Sequence, residues 1–465
     1  MPDLIDLTDR TTHFEIINNP DIQAFIEKCK YMVEPSEKES EEISSLFSET
    51  PSCSDILPNN IISIDASNYE SSIDDNLPFT RVGYVKVGNI LIKRETYTNL
   101  GKNRFIDPFK IAEMQKSNSS TVFAFPSSNM QYMGESSVRN GFRLALDDYL
   151  SKYRNNSSDP KTSLRATLFK LASYRSGITK SSGSSELTLH VCPNESCNKT
   201  NIPVWEIEEK QFCPECSQPI YPSDCLRIWE EVEDNGSNQS ALTRFTNVIE
   251  HLFAIHYIRT IIEENPESYI DTLSNICIFM DGALAIFGNA AWIHKCIMKY
   301  LHEINLTLIE HKKQPLLIIG LMKNGAVVDY FKLIEQNIPQ KSVFCLSDEI
   351  RNKYVNYNRQ SSSSTFGSET YYGQDFIYKS ETNKLFVFNL PYPFESKENL
   401  QTFIKEKSKI SNYINLDRCL SLLNEFESDL YSNSVVPVAL ARKHTVISLK
   451  PGSQILDLLT RENLV

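Results

Sequence analysis

The sequence predicts a mixed α/β fold, and three features support that class. Two apolar runs rich in strand-forming residues, IISIDAS at residues 61–67 and ICIFMDGALAIFG at residues 276–288, each lead into a single aspartate, Asp65 and Asp281. Stretches whose apolar residues recur at helical spacing separate runs of this kind. A group of four cysteines interrupts the alternation, which is typical of a small inserted metal-binding module.

Composition limits the classes of protein that the chain can belong to. Its 465 residues, 41% hydrophobic and 23% charged, are typical of a soluble globular protein with two or three domains. A net charge of −12 argues against a protein that coats DNA through its overall charge, so any contact with nucleic acid would be a local basic groove or be supplied by a partner.

The expected location is a reducing cytoplasm. The start, MPDLIDLTDR, lacks the basic segment and apolar core of a signal peptide, and no apolar run reaches the roughly 18 residues that a membrane span needs. Most of the eleven cysteines are scattered, as expected of core thiols in a reducing compartment.

The chain is expected to divide into four parts. Residues 1–60 predict an N-terminal helix and a mobile acidic arm rich in Ser, Glu and Pro. Residues 61–185 and 236–465 are the two halves of a core, the second closing with helical and strand elements. Between them, residues 186–235 form the cysteine-containing insertion, which the flexible linker SGITKSSGSSE precedes.

The first half predicts three antiparallel strands followed by helices. After the strand at residues 61–65 comes RVGYVKVGNILIKRETY, in which Gly88-Asn89 separates two runs rich in β-branched and aromatic residues. That pair of residues is a turn signal, so the stretch predicts a β-hairpin. Helical spacing then covers residues 138–153 and 164–174.

The insertion predicts a zinc-ribbon-like module. Cys192 and Cys197 are separated by four residues, Cys213 and Cys216 by two, and fifteen residues lie between the pairs. Two thiolate knuckles on facing hairpins can close a tetrahedral structural zinc site, although the first gap is wider than usual and free thiols are the alternative. Four sulfurs leave no open position for catalysis. His190 could replace one ligand, but an ordinary strand histidine is the better interpretation.

The second half predicts helices alternating with strands. A long helix covers residues 242–262, and its periodicity places Glu250 on a solvated polar flank. After the strand that ends at Asp281 come a helix at residues 290–308 and an apolar strand that turns at Asn324-Gly325 and resumes toward Asp329. Two more strands, FIYK and LFVFNLPYP, and a helix at residues 416–430 complete this half.

Three antiparallel strands, a helix, and then a strand and helix repeated is the order of elements in ribonuclease-H-like folds. In that mixed sheet flanked by helices the first and fourth strands lie side by side, so Asp65 and Asp281 are expected close together. Neighbouring carboxylates repel unless a cation separates them, and their oxygens suit Mg²⁺ or Mn²⁺. Two such ions about 4 Å apart can activate a water and stabilise the leaving oxygen of a phosphodiester. The alternative is that each aspartate only caps a turn.

Other residues complete the candidate site. Glu250, on the helix before the second acidic strand, is the natural third ligand, with Glu263 and Glu264 as alternatives. After an apolar approach near the C-terminus, His444 could bind a metal or shuttle a proton, or be an ordinary surface histidine.

Two basic residues precede that histidine. Arg442 and Lys443 could hold a DNA phosphate, or serve only as solubilising charges.

From about residue 60 to the C-terminus the chain resembles the NurA nucleases, specifically the longer bacterial kind with a cysteine insertion. The order and number of the matching segments make the likeness specific, although each segment alone is weak. These segments are IISIDAS, GYVKVGNILI, SVRNGFRLALDDYL, PIYPSDCLRIWEEV, VIEHLFAIHYIR, FMDGALAIFG, IIGLMKNGAVVDYF, YYGQDFIYK, LPYPF and PVALARKHTVISL.

The resemblance implies a ribonuclease-H-like fold and a homodimeric, Mn²⁺- or Mg²⁺-dependent nuclease acting on DNA ends and single strands. It also implies work with HerA, a hexameric DNA-translocating ATPase, in end processing or defence against phage DNA. By position, Asp65 and Asp281 match the family's metal-binding strand aspartates, Glu250 its helical glutamate and His444 its C-terminal histidine. The segment LPYPF departs from the pattern, because shorter relatives carry charged residues there.

Two other classes of function compete with a nuclease. A non-catalytic docking subunit of a DNA-translocating complex would keep the fold without needing its acids. A zinc-ribbon nucleic-acid-binding module without hydrolysis would explain the insertion but not the two acidic strands.

Overall fold

One mixed β-sheet of nine described strands forms the centre of the fold. The computed structural model describes residues 18–29, 32–74, 76–101, 119–155, 157–175, 186–207, 209–355, 365–428 and 434–445. Its strands are β1 (Ser48–Glu49), β2 (Asn60–Asp74), β3 (Leu77–Lys93), β4 (Ser119–Pro126), β5 (Glu186–Val191), β6 (Thr200–Trp205), β7 (Gln211–Phe212), β8 (Pro219–Ile220), β9 (Ile276–Asp281), β10 (Leu317–Met322), β11 (Ser342–Cys345), β12 (Gly373–Lys379) and β13 (Leu385–Pro391). The order across the large sheet is β1-β11-β12-β13-β10-β9-β2-β3-β4.

The part of the sheet that carries the acids has the predicted topology. Strands β2, β3 and β4 pair antiparallel, β9 pairs parallel with β2, and β10 pairs parallel with β9. The register brings Ile64 of β2 opposite Met280 of β9. The first strand of the core therefore lies beside the fourth, as a ribonuclease-H-like order requires.

Helices cover both faces of this sheet. They are α1 (Pro20–Lys28), α2 (Glu37–Ser44), α3 (Arg94–Gly101), α4 (Val138–Lys152), α5 (Leu164–Ala172), α6 (Gln239–Glu264), α7 (Tyr269–Ser274), α8 (Ile293–Glu310), α9 (Ala326–Leu333), α10 (Leu400–Lys407), α11 (Leu416–Glu425) and α12 (Val436–Thr445). One core contains residues of α4, α5, α6 and α8, a second contains residues of α11 and α12, and a third contains residues of α2 and α9. None of the described helices combines the length and apolarity needed to cross a membrane.

Side-chain alternation along β2 and β9 determines which way the acids point. Ile61 and Cys277 belong to the core under α11 and α12. Because side chains alternate with a period of two residues, Asp65 and Asp281 extend from the same face four residues later. Both strands stop being buried at that point, so the two carboxylates emerge together at the carboxyl edge of the parallel pair.

The hairpin turn predicted at Gly88-Asn89 is wrong, because both residues lie inside β3 and pair with β2 and β4. The connection between β2 and β3 comes earlier, between Asp74 and Leu77. Close packing explains why residue 88 is a glycine. A Cβ atom at this position would lie 2.7 Å from Cγ2 of Thr445 in α12. Gly88 thus lets α12 approach the sheet closely.

Two further segments differ from the predictions. After β10 the chain turns at Asn324-Gly325, but it continues as helix α9, not as a strand. In the tract predicted as a mobile arm, α2 has a capping box made by Ser36 and Glu39, and β1 pairs with β11 at the edge of the sheet. The linker at 176–185, residues 356–364 and the chain after residue 445 lie outside the described residues.

Candidate active site

A cavity of about 640 Å³ opens at the carboxyl edge of β9 and β10. Its walls come from the end of β2, the polar flank of α6, the segments after β9 and β10, and the end of α12. Asp65, Glu250 and Asp281 all line it. Residues separated by more than 200 positions in the sequence are therefore brought to one site by the pairing of β2 with β9.

The two aspartates interact directly in this cavity. Asp65 is only 6% exposed, and its carboxylate accepts a hydrogen bond from the hydroxyl of Thr445 in α12. Burial and then the neighbouring charge of Asp281 raise the pKa of Asp65 to about 7. Two carboxylates that share a poorly solvated site are unfavourable without a compensating cation.

Glu250 is the third acid of the site. Its Oε1 accepts a hydrogen bond of 2.7 Å from the backbone N–H of Ala66, the residue after Asp65. Burial, followed by the charges of Asp65 and Asp281, raises the pKa of Glu250 well above its usual range. The glutamate is thus fixed to β2 and electrostatically coupled to both aspartates.

The expectation that Glu250 is solvated is wrong, and the reason lies in α6. Fourteen of the twenty-six residues of this helix are buried, including His251 and His256. A helix enclosed on most sides has no solvent face of the kind that periodicity assumes, so its polar flank lines the cavity. The alternative ligand Glu263 instead pairs with Arg259 at 2.6 Å, and Glu264 is exposed.

Two cations offset part of the negative charge. Nζ of Lys323, just after β10, lies 2.7 Å from Oδ2 of Asp281. Nη1 of Arg442 in α12 lies 4.0 Å from the same oxygen, with nearly half of its side chain exposed. Both cations contact Asp281, whereas burial, followed by the charges of the neighbouring acids, raises the pKa values of Asp65 and Glu250. Carboxylate oxygens are the donors that Mg²⁺ and Mn²⁺ prefer, but among the described residues only the four cysteines of the insertion place three or more ligand atoms within 4.8 Å of one another.

The C-terminal residues separate in the structure. Arg442 and Thr445, three positions apart on α12, share the helix face that lines the cavity. Lys443 is exposed, and neither it nor His444 is among the lining residues of this described cavity. Burial and the nearby charges of Lys86 and Lys443 lower the pKa of His444. A role for His444 in metal binding or proton transfer stays a prediction.

Sequence reasoning missed four residues that line the cavity: Lys323, Thr445, Arg351 and Asp375. Lys323 had a usable signal, because it follows the end of an apolar strand in the segment LMKNG. Asp375 had no such signal. It comes from β12, the neighbour of β13, and pairs with Arg351.

The four cysteines of the insertion form the predicted cluster. Their sulfurs all lie within 4.8 Å of one another, with 3.7 Å between Cys192 and Cys216 and 3.9 Å between Cys197 and Cys213. Zinc–sulfur bonds of about 2.3 Å at the corners of a tetrahedron would place sulfurs about 3.8 Å apart. Disulfide sulfurs would be about 2 Å apart. The cluster therefore has the dimensions of a structural zinc site.

The elements beside this cluster also match a ribbon. Strands β5 and β6 form one antiparallel hairpin and β7 and β8 form another. The backbone N–H of Cys192 donates to Lys199 and that of Cys213 to Gln218, so each knuckle is closed by its own turn. His190 is exposed on β5 and is not part of the cluster.

Taken together, the mixed sheet and its acidic edge define an α/β protein with a carboxylate site beside paired parallel strands. The chain belongs to the NurA family of nucleases, since the family model described as the NurA domain matches residues 59–448. No curated protein sequence matches it.

Two solved structures align with the chain. One is "Crystal structure of NurA", 10% identical over 98% of this chain and 96% of that chain, with a TM-score of 0.27. The other is "Crystal structure of NurA with manganese", 11% identical over 98% and 97%, with a TM-score of 0.20. TM-scores this low add nothing to the assignment of the fold or the site.

The first prediction concerns the zinc content of the cysteine cluster. Purified protein should contain about one zinc per chain, and Cys213→Ser should lose it because a tetrahedral site needs all four sulfurs. Cys53→Ser, at an exposed thiol outside the cluster, is the matched control and should keep the metal. Elemental analysis measures both. Unchanged zinc in the Cys213 variant would contradict the assignment.

The second prediction is that the raised pKa of Asp65 makes the free energy of unfolding depend on pH. Between about pH 4 and 7 the folded protein keeps a proton that the unfolded chain has released. In EDTA the free energy of unfolding should therefore fall with rising pH in this window, at up to about 1.4 kcal/mol per pH unit. Asp65→Asn should remove this contribution.

Denaturant unfolding of the wild type and the variant at several pH values measures the difference. Groups away from the cavity, such as Asp147 with a pKa raised to about 6 by burial, contribute to both proteins and cancel, whereas the contribution of Glu250 changes together with that of Asp65. Identical pH slopes in wild type and variant would show that Asp65 keeps an ordinary pKa.

Proposed function

We propose that this protein is a divalent-metal-dependent deoxyribonuclease that hydrolyses phosphodiester bonds at DNA ends and in single strands. The observation that carries the proposal is the convergence of Asp65, Glu250 and Asp281 in one cavity. An ion pair network alone does not explain the site, because two of the three acids have raised pKa values. Strongly perturbed acids in a cavity are typical of functional sites.

Each residue of the site has a role in this proposal. The three acids hold Mg²⁺ or Mn²⁺, which when bound would activate a water and stabilise the leaving oxygen. Lys323 and Arg442 offset the negative charge of the scissile phosphate.

Other parts of the chain position the site. The backbone N–H of Ala66 fixes the Glu250 carboxylate, and the hydroxyl of Thr445 fixes that of Asp65. Gly282 and Ala283, which line the cavity after Asp281, leave room for a strand of DNA to approach. Lys443, exposed beside Arg442, is available to a phosphate further along the DNA. The cysteine cluster holds a structural zinc.

The proposal includes a homodimer that works with a HerA-type hexameric ATPase, in DNA end processing or in defence against phage. The acidic balance of the chain supports a partner that delivers DNA, since the basic groups of the site are few and local. A nuclease of this charge would bind DNA weakly by itself.

The site makes the third prediction, which tests cleavage. With Mn²⁺ or Mg²⁺ the wild type should degrade linear DNA, and EDTA should abolish the activity. Asp65→Asn, Asp281→Asn and Glu250→Gln should each lower kcat by at least about 100-fold, because losing even an outer-shell partner of a metal ligand costs about 10–100-fold. Oligonucleotide digestion resolved on gels measures the rates.

The matched control is Glu263→Gln, the same change on the same helix at a residue that pairs with Arg259 outside the cavity. It should cleave as the wild type does. Circular dichroism confirms that each variant is folded. Cleavage that survives EDTA and all three acid substitutions would assign the activity to another site or to a contaminant.

The fourth prediction concerns the assembly of the protein with itself and with a HerA-type ATPase. Co-expression with a HerA-type ATPase should give a stable complex, and light scattering of the protein alone should give the mass of a dimer. Asp65→Asn should leave the complex intact, since the acids lie in the cavity. A complex without cleavage under any metal would favour the docking-subunit alternative, and a monomer that binds no ATPase would contradict the assembly.

A further inference from the structure

Residues 365–372 contribute two aromatic rings to the cavity that contains the acids. Phe366 and Tyr371 both line this cavity, and the centroids of their rings are 4.7 Å apart. Both residues are partly exposed. None of the residues 365–372 belongs to a helix or strand named above. Contacts outside regular secondary structure must therefore hold the two rings in place.

Lys397 is the main anchor of this segment. Its ammonium donates to three backbone carbonyl oxygens, those of Gly367 at 2.8 Å, Ser368 at 3.3 Å and Tyr371. An ammonium group has three N–H donors, so these carbonyls use all of them. No carboxylate in the described part of the chain pairs with Lys397. The hydrogen bonds of this lysine are therefore spent on one short segment of the cavity wall.

Lys407 anchors the start of the same segment. Its Nζ donates to the carbonyl oxygen of Phe366 at 3.0 Å. The same ammonium lies 2.7 Å from Oδ1 of Asp348. Replacing Lys407 would leave the carboxylate of Asp348 without its cation, which is destabilising in a buried pair. Lys397, which has no such partner, is therefore the better residue for a test.

The segment is also bonded to the elements that carry the acids. The backbone N–H of Ile286, in the chain after β9, donates to the carbonyl oxygen of Thr370 at 3.0 Å. The hydroxyl of Tyr372 lies 2.6 Å from Nδ1 of His251, the neighbour of Glu250 in α6. These bonds fix the position of the segment relative to the proposed metal ligands.

We infer that Lys397 is a positioning residue, which holds Phe366 and Tyr371 as an apolar wall for the nucleotide beside the scissile phosphate. The inference rests on the proposed function, because it describes how the same cavity holds its DNA. Aromatic rings bind the bases of single strands by stacking, with little dependence on sequence. Stacking does not require a basic protein, which suits the acidic balance of this chain.

Three variants test the role of Lys397. Lys397→Met removes the ammonium but keeps a side chain of similar length, and Lys397→Arg keeps a cation with several N–H donors. Phe366→Leu removes one ring of the wall and leaves the lysine unchanged. The matched control is Lys405→Met, the same change at an exposed lysine of α10 outside the cavity lining. Circular dichroism confirms that each variant is folded.

Hydrogen–deuterium exchange measures whether Lys397 holds the segment. Backbone amides of residues 365–372 should exchange faster in Lys397→Met than in the wild type, because three carbonyl oxygens lose their donor. Lys405→Met should exchange as the wild type does. Equal exchange in the wild type and Lys397→Met would overturn the inference.

Fluorescence anisotropy with short labelled single strands, in EDTA and again in Ca²⁺, measures binding. Lys397→Met and Phe366→Leu should each bind about tenfold more weakly, since losing one base–aromatic contact costs about that much. Lys397→Arg should bind more tightly than Lys397→Met, and Lys405→Met should bind as the wild type does. With Mn²⁺, KM of Lys397→Met should rise while kcat stays within about twofold of the wild type, because the acids are unchanged.

The double variant Lys397→Met/Phe366→Leu separates positioning from an independent effect. If Lys397 acts through the wall, the double variant should bind about as weakly as the weaker single variant, because residues that act together are not additive. Losses that multiply in the double variant would overturn the inference.

The remaining outcomes distinguish this inference from the proposed nuclease. Cleavage by the wild type, with unchanged binding and KM in Lys397→Met, would overturn the positioning role and leave the nuclease. Faster exchange without weaker binding would do the same, because Lys397 would then be a structural residue only. A wild type that neither binds nor cleaves DNA would overturn the proposed function, and this inference with it.

Discussion

The structure depends on the parallel pairing of β2 with β9. Their register places Ile64 beside Met280, so the next residue of each strand is an aspartate. Alternate side chains of the two strands pack into different cores, Ile61 and Cys277 into one and Ile64 and Met280 into the other, so a slip by one residue would turn each of them to the opposite face. The core thus holds Asp65 and Asp281 together against their own repulsion. Burial, followed by the charge of Asp281, raises the pKa of Asp65.

The surrounding elements reduce this repulsion without removing it. Lys323 and Arg442 both contact Asp281, whereas Asp65 and Glu250 receive only neutral donors, a hydroxyl and a backbone N–H. Neutral hydrogen bonds orient a carboxylate but compensate its charge less than a cation does. This uneven distribution of cations around the three acids is compatible with the metal site that we propose.

Features of the fold and of the candidate site could be predicted where they depend on residues close together in the sequence. The aspartates at the strand ends and the spacing of the four cysteines are local patterns, and both led to the observed arrangements. The prediction of a turn at Gly88 was wrong because a Gly-Asn pair is usually a turn signal. Here the glycine is needed because α12, more than 350 residues later in the sequence, packs closely against β3. Glu250 was placed in the site by the order of elements, but its environment could not be, since periodicity does not reveal that α6 is enclosed. Arg351 and Asp375 were missed because strand neighbours such as β12 and β13 are set by the tertiary fold.

The distribution of charge is compatible with the DNA substrate that we propose. Residues 186–235 contain eleven acidic and three basic residues, so this segment carries −8 of the net charge of −12. The other 415 residues together carry only −4. The insertion is attached to the core through a buried ion pair between Arg143 of α4 and Asp224, with 2.7 Å between their atoms. Its charge argues against the insertion as a nucleic-acid-binding module, because contact with phosphates requires basic residues. Without that segment the rest of the chain is nearly neutral, which is compatible with the binding of DNA that we propose.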